Sequence, residues 1–146
     1  MTPVAYVALI RQEGPHDFIV TFPDVPEAIT QGSDVAEARA NAHDALSAAL
    51  ETYVELGRPF PARAEIESKS LRKDSILFDV AVEPKLAARA RLAGEMKAQG
   101  ISKVGLAKLM KRDEKAVRLI LSGRGASLDM TLEALRAVGV RPALAA

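Results

Sequence analysis

The sequence predicts an α+β protein of two small domains, in which a small sheet with one long helix is followed by an all-α domain. The first observation is charge. Residues 1–83 carry seven Lys and Arg against fourteen Asp and Glu, a net charge of −7, whereas residues 84–146 carry thirteen against five, a net charge of +8. The second is periodicity, which is strand-like in the first part and helical in the second. We place the boundary after Glu83 and expect two different partners.

Strands are predicted first. Residues 4–10 and 18–22 are runs of β-branched, aliphatic and aromatic residues around a Gly-Pro-His-Asp turn at 14–17, which is typical of a hairpin. A short third strand fits residues 28–31. Residues 75–82 alternate in the same way, so they predict a strand that returns to the sheet.

A long helix is predicted after the third strand. Asp34 has the position of an N-cap, Glu37 follows at capping-box spacing, and Gly57 stands where a C-terminal cap belongs. The apolar residues between them recur at helical spacing: Ala38, Ala42, Ala45, Leu46, Ala49 and Tyr53. We expect a helix of roughly 22 residues that lies on the sheet.

Short motifs within residues 4–63 resemble the HicB antitoxin family. They are Phe22-Pro23-Asp24-Val25-Pro26, Thr30-Gln31-Gly32, the Asp34 helix start and Gly57-Arg58-Pro59-Phe60-Pro61. The family usually continues with Gly-Cys where Glu27 and Ala28 stand here. The resemblance implies a partial ribonuclease-H-like ββ(β)αβ fold that binds and inhibits HicA, a small mRNA-cleaving toxin. It makes four residues candidates for toxin binding: Phe22, Pro23, Asp24 and Glu27.

Four helices are predicted in the basic half, over residues 85–99, around 104–110, and over 114–121 and 128–138. Serine or aspartate stands at the N-cap of the last three helices, and glycine ends the first and the last. These residues are Ser102, Asp113, Ser127, Gly100 and Gly139. The apolar side predicted for the first helix consists of Leu86, Ala90, Ala93 and Met96.

The basic half resembles the lambda-repressor-like (Xre-type) helix-turn-helix over residues 85–140. The matching stretches are Leu106-Ala107, Asp113-Glu114-Lys115-Ala116-Val117-Arg118, Ser122-Gly123, Ser127-Leu128-Asp129 and Ala137-Val138-Gly139-Val140. The resemblance implies that the third helix of this half enters the major groove of DNA. The DNA-binding candidates are Lys103, Lys111, Arg112, Glu114, Lys115, Arg118 and Arg124.

Base reading is expected from Arg118, which can pair bidentately with guanine, and phosphate contact from Lys111, Arg112 and Arg124. Three positions depart from the usual pattern. Lys111 stands at a turn that often holds glycine, so it is strained if φ is positive. Gly105 lowers the stability of its helix. Glu114 replaces a common glutamine, and a carboxylate accepts only from cytosine.

Other classes of site find little support in the composition. There are no cysteines, which excludes disulfides, thiol catalysis and cysteine-based zinc sites. His16 and His43 have no nucleophile at a suitable spacing and form no metal site. No cofactor or metal is predicted. No basic leader and no apolar run of about 18 residues is present, so we expect a cytoplasmic protein without a membrane partner.

Three functions remain open. The leading hypothesis is an antitoxin, active as a homodimer or tetramer, that neutralises a HicA-like ribonuclease and represses its own operon on double-stranded operator DNA. The second is a transcriptional regulator whose first domain serves oligomerisation or ligand sensing. The third is a magnesium-dependent nuclease built on Asp24, Asp44 and Asp79. It is disfavoured because Asp44 and Glu51 lie two helical turns apart.

Overall fold

The computed structural model describes residues 4–64 and 74–140. These residues divide into two compact units. We call them the sheet unit, which holds the described residues of 1–53 and 60–83, and the helical unit, which holds those of 54–59 and 84–146.

The sheet unit contains an antiparallel sheet in the order β3-β2-β1-β4. Its strands are β1 (Ala5–Gly14), β2 (Asp17–Thr21), β3 (Ile29–Gly32) and β4 (Ile76–Ala81). The predicted hairpin is present, with Leu9 opposite Thr21 and a register shift between Gln12 and Gly14. On its other side β1 pairs with β4, where Leu9 lies opposite Leu77. β1 is therefore an inner strand of the sheet.

The predicted long helix, α1 (Val35–Glu55), follows β3. The Asp34 carboxylate accepts from the Glu37 backbone nitrogen at 2.7 Å. The Glu37 side chain accepts from both the backbone nitrogen and the hydroxyl of Ser33, at 3.2 and 3.1 Å. It therefore reaches one residue further back than in a standard capping box. The bond from the Glu37 nitrogen to Asp34 satisfies one of the backbone donors that a helix start leaves without intrahelical partners.

Gly32 explains the end of the Thr-Gln-Gly motif. A Cβ at this position would lie 2.4 Å from the backbone nitrogen of Ala38, in α1. Glycine alone therefore lets β3 approach the helix this closely. Asn41 secures the same junction, because its Nδ2 donates to the Gln31 carbonyl at 2.8 Å.

The core of the sheet unit lies between α1 and one face of the sheet. Side chains on β1 alternate, with Tyr6, Ala8 and Ile10 buried. The guanidinium of Arg39 lies 4.9 Å from the ring centroid of Phe78 and covers it. The remaining core is contributed by Val20, Phe22, Val25, Ala28, Ala38, Ala42, Leu46, Leu50, Tyr53 and Val80.

The helical unit contains α2 (Pro84–Gln99), α3 (Lys103–Met110), α4 (Glu114–Ser122) and α5 (Leu128–Ala137). α2 packs against α5 and α4, and α3 packs against α4 and α5. Its core includes Leu92, Met96, Leu106, Val117, Ile120, Ala134 and Leu135. Within the described ranges, every helix is too short or too polar to cross a membrane.

Candidate functional sites

The loop between β2 and β3 is built from two successive tight turns. The backbone nitrogen of Val25 donates to the Phe22 carbonyl, and that of Ala28 donates to the Val25 carbonyl, both at 3.0 Å. Phe22, Val25 and Ala28 are buried. Pro23 and Glu27 are exposed between them. The loop therefore anchors every third residue in the core and presents Pro23 and Glu27 to solvent.

Three side chains fix this loop and the segment before residue 64. The Asp24 carboxylate accepts from the Ala64 backbone nitrogen at 3.1 Å. The Tyr53 hydroxyl donates to the Glu27 carboxylate, with both oxygens at 2.9 Å. The Tyr6 hydroxyl donates to the Pro61 carbonyl at 2.6 Å. Burial, together with the charges of Asp24 and Tyr53, raises the pKa of Tyr6 to about 12, so the hydroxyl keeps its proton.

The four toxin-binding candidates occupy different environments. Phe22 is only 1% exposed, so its side chain positions the loop and does not reach a partner directly. Asp24 is half-buried, while Pro23 and Glu27 are exposed. A partner approaching this loop would therefore meet Pro23 and the Glu27 carboxylate first.

The carboxylates of the nuclease hypothesis have separate partners. Asp24 accepts from Ala64, Asp79 forms an ion pair with Arg63 at 2.7 Å, and Asp44 is 87% exposed beside His43. In the part of the chain that the structure describes, no three acidic or histidine side chains are grouped as metal ligands would be. The geometry offers no support for magnesium chemistry at Asp24, Asp44 and Asp79.

The predicted N-cap residues stand at the start of three helices in the helical unit. The side chains of Ser102, Asp113 and Ser127 accept from the backbone nitrogen three residues ahead, at 3.0, 2.8 and 3.2 Å. Each cap has extended backbone angles, as the motif requires. The Asp113 cap fixes the start of α4 and therefore the position of its first turn.

The turn between α3 and α4 is formed by Lys111, which has a left-handed backbone with φ 56° and ψ 44°. Among the described residues, no other non-glycine residue has a positive φ. The strain expected at this position is thus present. The Arg112 backbone nitrogen closes the turn by donating to the Ala107 carbonyl at 3.0 Å.

α4 buries Val117 and Ile120 and turns its charged side chains outward. Glu114 and Arg118 are 53% and 60% exposed and form an i,i+4 ion pair with 3.8 Å between Nη1 and Oε2. Arg112 donates from Nε to Glu133 Oε2 at 3.1 Å, and its Nη2 lies 3.0 Å from the same oxygen in an ion pair. All seven candidates are exposed: Lys103, Lys111, Arg112, Glu114, Lys115, Arg118 and Arg124.

The burial of Arg89 could not be predicted from the sequence. Arg89, on α2, is 5% exposed and donates to the carbonyl of Leu121 in the last turn of α4. A basic residue within a basic, alanine-rich helix is indistinguishable by sequence from a solvated one. Only the fold shows that its guanidinium is inside.

Comparison with known proteins gives consistent matches. Residues 5–80 match a family described as HicB-like antitoxin of bacterial toxin-antitoxin system. Antitoxin HicB 2 of Photorhabdus laumondii subsp. laumondii is 33% identical over 121 residues, which cover 82% of this chain and 81% of that protein. Antitoxin HicB of Escherichia coli K12 is 43% identical over 51 residues, 35% of this chain and 37% of the relative.

A solved structure has a similar fold. The crystal structure of the Burkholderia pseudomallei antitoxin HicB superimposes with a TM-score of 0.50, over 73% of this chain and 92% of that chain. The two sequences are 14% identical over the match. At this identity the likeness concerns the fold alone, an antiparallel sheet followed by helices.

Proposed function

Because this chain belongs to the HicB-like antitoxin family of bacterial toxin-antitoxin systems, we propose that it binds and neutralises a small HicA-like ribonuclease and represses its own operon. The sheet unit, a partial ribonuclease-H-like fold without catalysis of its own, takes the toxin. The helical unit, a lambda-repressor-like helix-turn-helix, takes the DNA. Family membership carries the first half of this proposal, and the exposed charged face of α4 carries the second.

Charge and loop geometry support toxin binding by the sheet unit. Residues 1–83 carry a net charge of −7. A ribonuclease that binds RNA presents a positive surface, and opposite potentials accelerate encounter. The β2–β3 loop is held by Asp24 and Glu27 through bonds to distant residues. A loop fixed in advance loses little conformational entropy on binding.

A pair of charge reversals tests the toxin site in the full chain, co-expressed with a HicA-like ribonuclease. Glu27→Arg places the opposite charge on the loop and should weaken toxin capture by about tenfold or more, with loss of growth rescue. Asp44→Arg makes the same change on exposed α1, outside the loop, and should leave capture intact. Equal capture by both variants would remove the loop from the interface. Repression without any rescue would favour the regulator hypothesis.

The face of α4 supports DNA binding by the helical unit. Glu114, Lys115 and Arg118 project from a helix whose start is fixed by the Asp113 cap. Three exposed cations surround this helix and can contact phosphates: Lys103, Lys111 and Arg124. Arg112 is engaged by Glu133, so its phosphate contact requires exchange of that ion pair. Residues 84–146 carry a net charge of +8, which suits a polyanion.

Operator geometry follows from symmetry. A homodimer, or a tetramer built from two of them, presents two copies of α4 related by a two-fold axis. They read a palindrome whose half-sites are separated by about 34 Å, one turn of DNA. The spacing of half-sites in a protected operator is therefore a direct measurement of this assembly.

Two alanine variants separate base reading from phosphate contact. Arg118→Ala should cost about 1–3 kcal/mol on the operator and relax base preference. Lys111→Ala should weaken all sequences alike and flatten the salt slope by about one unit. Band shifts on operator and scrambled duplexes over a salt series distinguish the two patterns. An Arg118→Ala protein with unchanged operator preference would remove Arg118 from the reading set.

A further inference from the structure

Among the described residues, Arg89 is the only charged residue that is buried. Its guanidinium donates from Nε and from Nη2 to the Leu121 carbonyl, at 3.2 and 3.0 Å. A buried charge is costly unless it is bonded, so this contact is a strong constraint on the packing of α2 against α4. The contact couples the first helix of the helical unit to the end of the helix that carries Arg118.

The acceptor lies where a helix needs a donor. Leu121 is in the last turn of α4, whose final carbonyls have no intrahelical partners. A positive charge at this end also interacts favourably with the helix dipole. Gly123 closes α4 in a left-handed conformation, φ 72°, and its own nitrogen donates to Leu119 and Ile120. Arg89 therefore adds a tertiary cap to a helix end that already has a local one.

Gly123 also provides the space that Arg89 occupies. A Cβ on Gly123 would lie 2.6 Å from both Cζ and Nη1 of Arg89 and 2.8 Å from its Nε. Gly125 has a similar left-handed φ of 78°, but a Cβ there would meet no atom within 4 Å. The two glycines thus share one backbone requirement and differ in the contact with Arg89.

We propose that Arg89 is a positioning residue for DNA recognition, which fixes the end of α4 and so the placement of Arg118 and Arg124 against the duplex. This inference rests on the proposed DNA-binding function. The start of α4 is held by the Asp113 cap and the Lys111 turn. Arg89 holds the other end, so the helix is constrained at both termini and its base-reading side chain meets the groove in one orientation.

The test uses the full chain and a duplex that the wild-type protein selects from a random-sequence pool, with an unrelated duplex as reference. Arg89→Met should lower affinity for the selected duplex by about tenfold, the size of one weakened base contact. Affinity for the unrelated duplex and the salt slope should stay the same, because a buried guanidinium contacts no phosphate. Arg91→Met is the control, since Arg91 is half-exposed and pairs with Glu95 on the same helix.

Variants of Gly123 and Gly125 provide a second test if the Arg89→Met variant does not fold. Gly123→Ala should reproduce the selective loss, and Gly125→Ala, with equal backbone strain, should not. The double variant Arg89→Met/Gly123→Ala should lose less than the product of the two single effects, because the steric conflict is gone. Circular dichroism at the binding temperature establishes that each compared variant is folded.

Different outcomes of this test distinguish failure of this inference from failure of the proposed DNA-binding function. If the wild-type chain selects no preferred duplex, DNA recognition itself is wrong. If it does select one, while Arg89→Met and Gly123→Ala bind it as well as wild type, only the positioning role is wrong. Equal losses on selected and unrelated duplexes by a folded variant would also overturn that role, since they indicate a general effect of charge.

Discussion

The candidate sites of the two units, the β2–β3 loop and the α4 surface, are shaped by polar contacts of different range. In the sheet unit, the side-chain bonds that fix the β2–β3 loop and residues 61–64 join residues far apart in sequence: Asp24 to Ala64, Tyr53 to Glu27 and Tyr6 to Pro61. In the helical unit, the N-cap bonds of Ser102, Asp113 and Ser127 each reach three residues ahead. The β2–β3 loop thus depends on distant residues of the sheet unit as well as on its own turns, whereas the α4 surface rests mainly on local N-caps, with long-range contacts from Arg89 to Leu121 and from Arg112 to Glu133.

The largest expected effect concerns the packing of the sheet unit, at the junction of β3 with α1. Gly32→Ala brings a Cβ against the Ala38 backbone and should destabilise the sheet unit by about 3 kcal/mol. Tyrosine emission during urea unfolding measures it, because both tyrosines of the chain, Tyr6 and Tyr53, lie in this unit. Gly94→Ala is the control in α2, where a Cβ meets nothing; it should stabilise the helical unit by about 0.5–1 kcal/mol, measured by helical circular dichroism. An unchanged midpoint for Gly32→Ala would contradict the close junction.

Replacing one side-chain atom on α4 tests the role of its exposed surface in base reading. Glu114→Gln leaves α4 intact and replaces an acceptor for cytosine by a side chain that pairs bidentately with adenine. The preferred base at one position of each half-site should change, with a difference of about 1–3 kcal/mol. Selection from random duplexes measures it. Asp129→Asn, an exposed acid on α5, should leave the selected sequence unchanged. Identical selections by wild type and Glu114→Gln would exclude Glu114 from base reading.

A hydroxyl deletion probes a single long-range bond. Tyr6→Phe removes the donor to Pro61 and should cost about 1 kcal/mol at neutral pH. The pKa of Tyr6 is raised from 10.0 to about 12, so between these values the unfolded chain loses a proton that the folded chain keeps. Wild-type stability therefore falls as the pH rises from 10 to 12.

Denaturant midpoints by circular dichroism at several pH values measure this decline. It should be smaller in Tyr6→Phe and retained in Tyr53→Phe, which keeps the Tyr6 hydroxyl. An equally steep decline in Tyr6→Phe would assign the alkaline sensitivity to other groups.

An effect of similar size concerns local strain in the helical unit. Lys111→Gly relieves a left-handed lysine and should stabilise the unit by about 1 kcal/mol, while Lys111→Ala keeps the strain. Thermal unfolding followed by helical circular dichroism compares them. Both variants lose the same charge, so both should bind DNA with equally reduced affinity. Equal melting temperatures would show that the turn relaxes at no cost.

Features set by near neighbours could be predicted from the sequence. The hairpin, the long helix, the three N-caps and the strained turn at Lys111 depend on residues within a few positions, and the structure confirms them. The buried faces were less well predicted, because alanine-rich helices offer several weakly apolar sides. Leu50 and Leu92 are fully buried, while Ala45, Ala49, Ala90 and Ala93 are half-buried.

Features that depend on tertiary contacts could not be predicted from the sequence. The motif around Phe22 indicated a site, yet only the fold shows that Phe22 is inside and Glu27 outside. The burial of Arg89 likewise depends on where α4 ends in space. Local rules predict which residues begin a helix, but they contain no information about which distant carbonyl a side chain will meet.

The strand order of the sheet has a consequence during synthesis. β1 pairs with β2 almost at once, but its other partner is distant: Ile10 meets Ile76 and Ala5 meets Ala81, separations of 66 and 76 residues. Until β4 leaves the ribosome, the nascent chain exposes the backbone donors and acceptors along one side of β1. Such an edge adheres to other extended chains. Its protection at that stage depends on how fast translation delivers the closing strand.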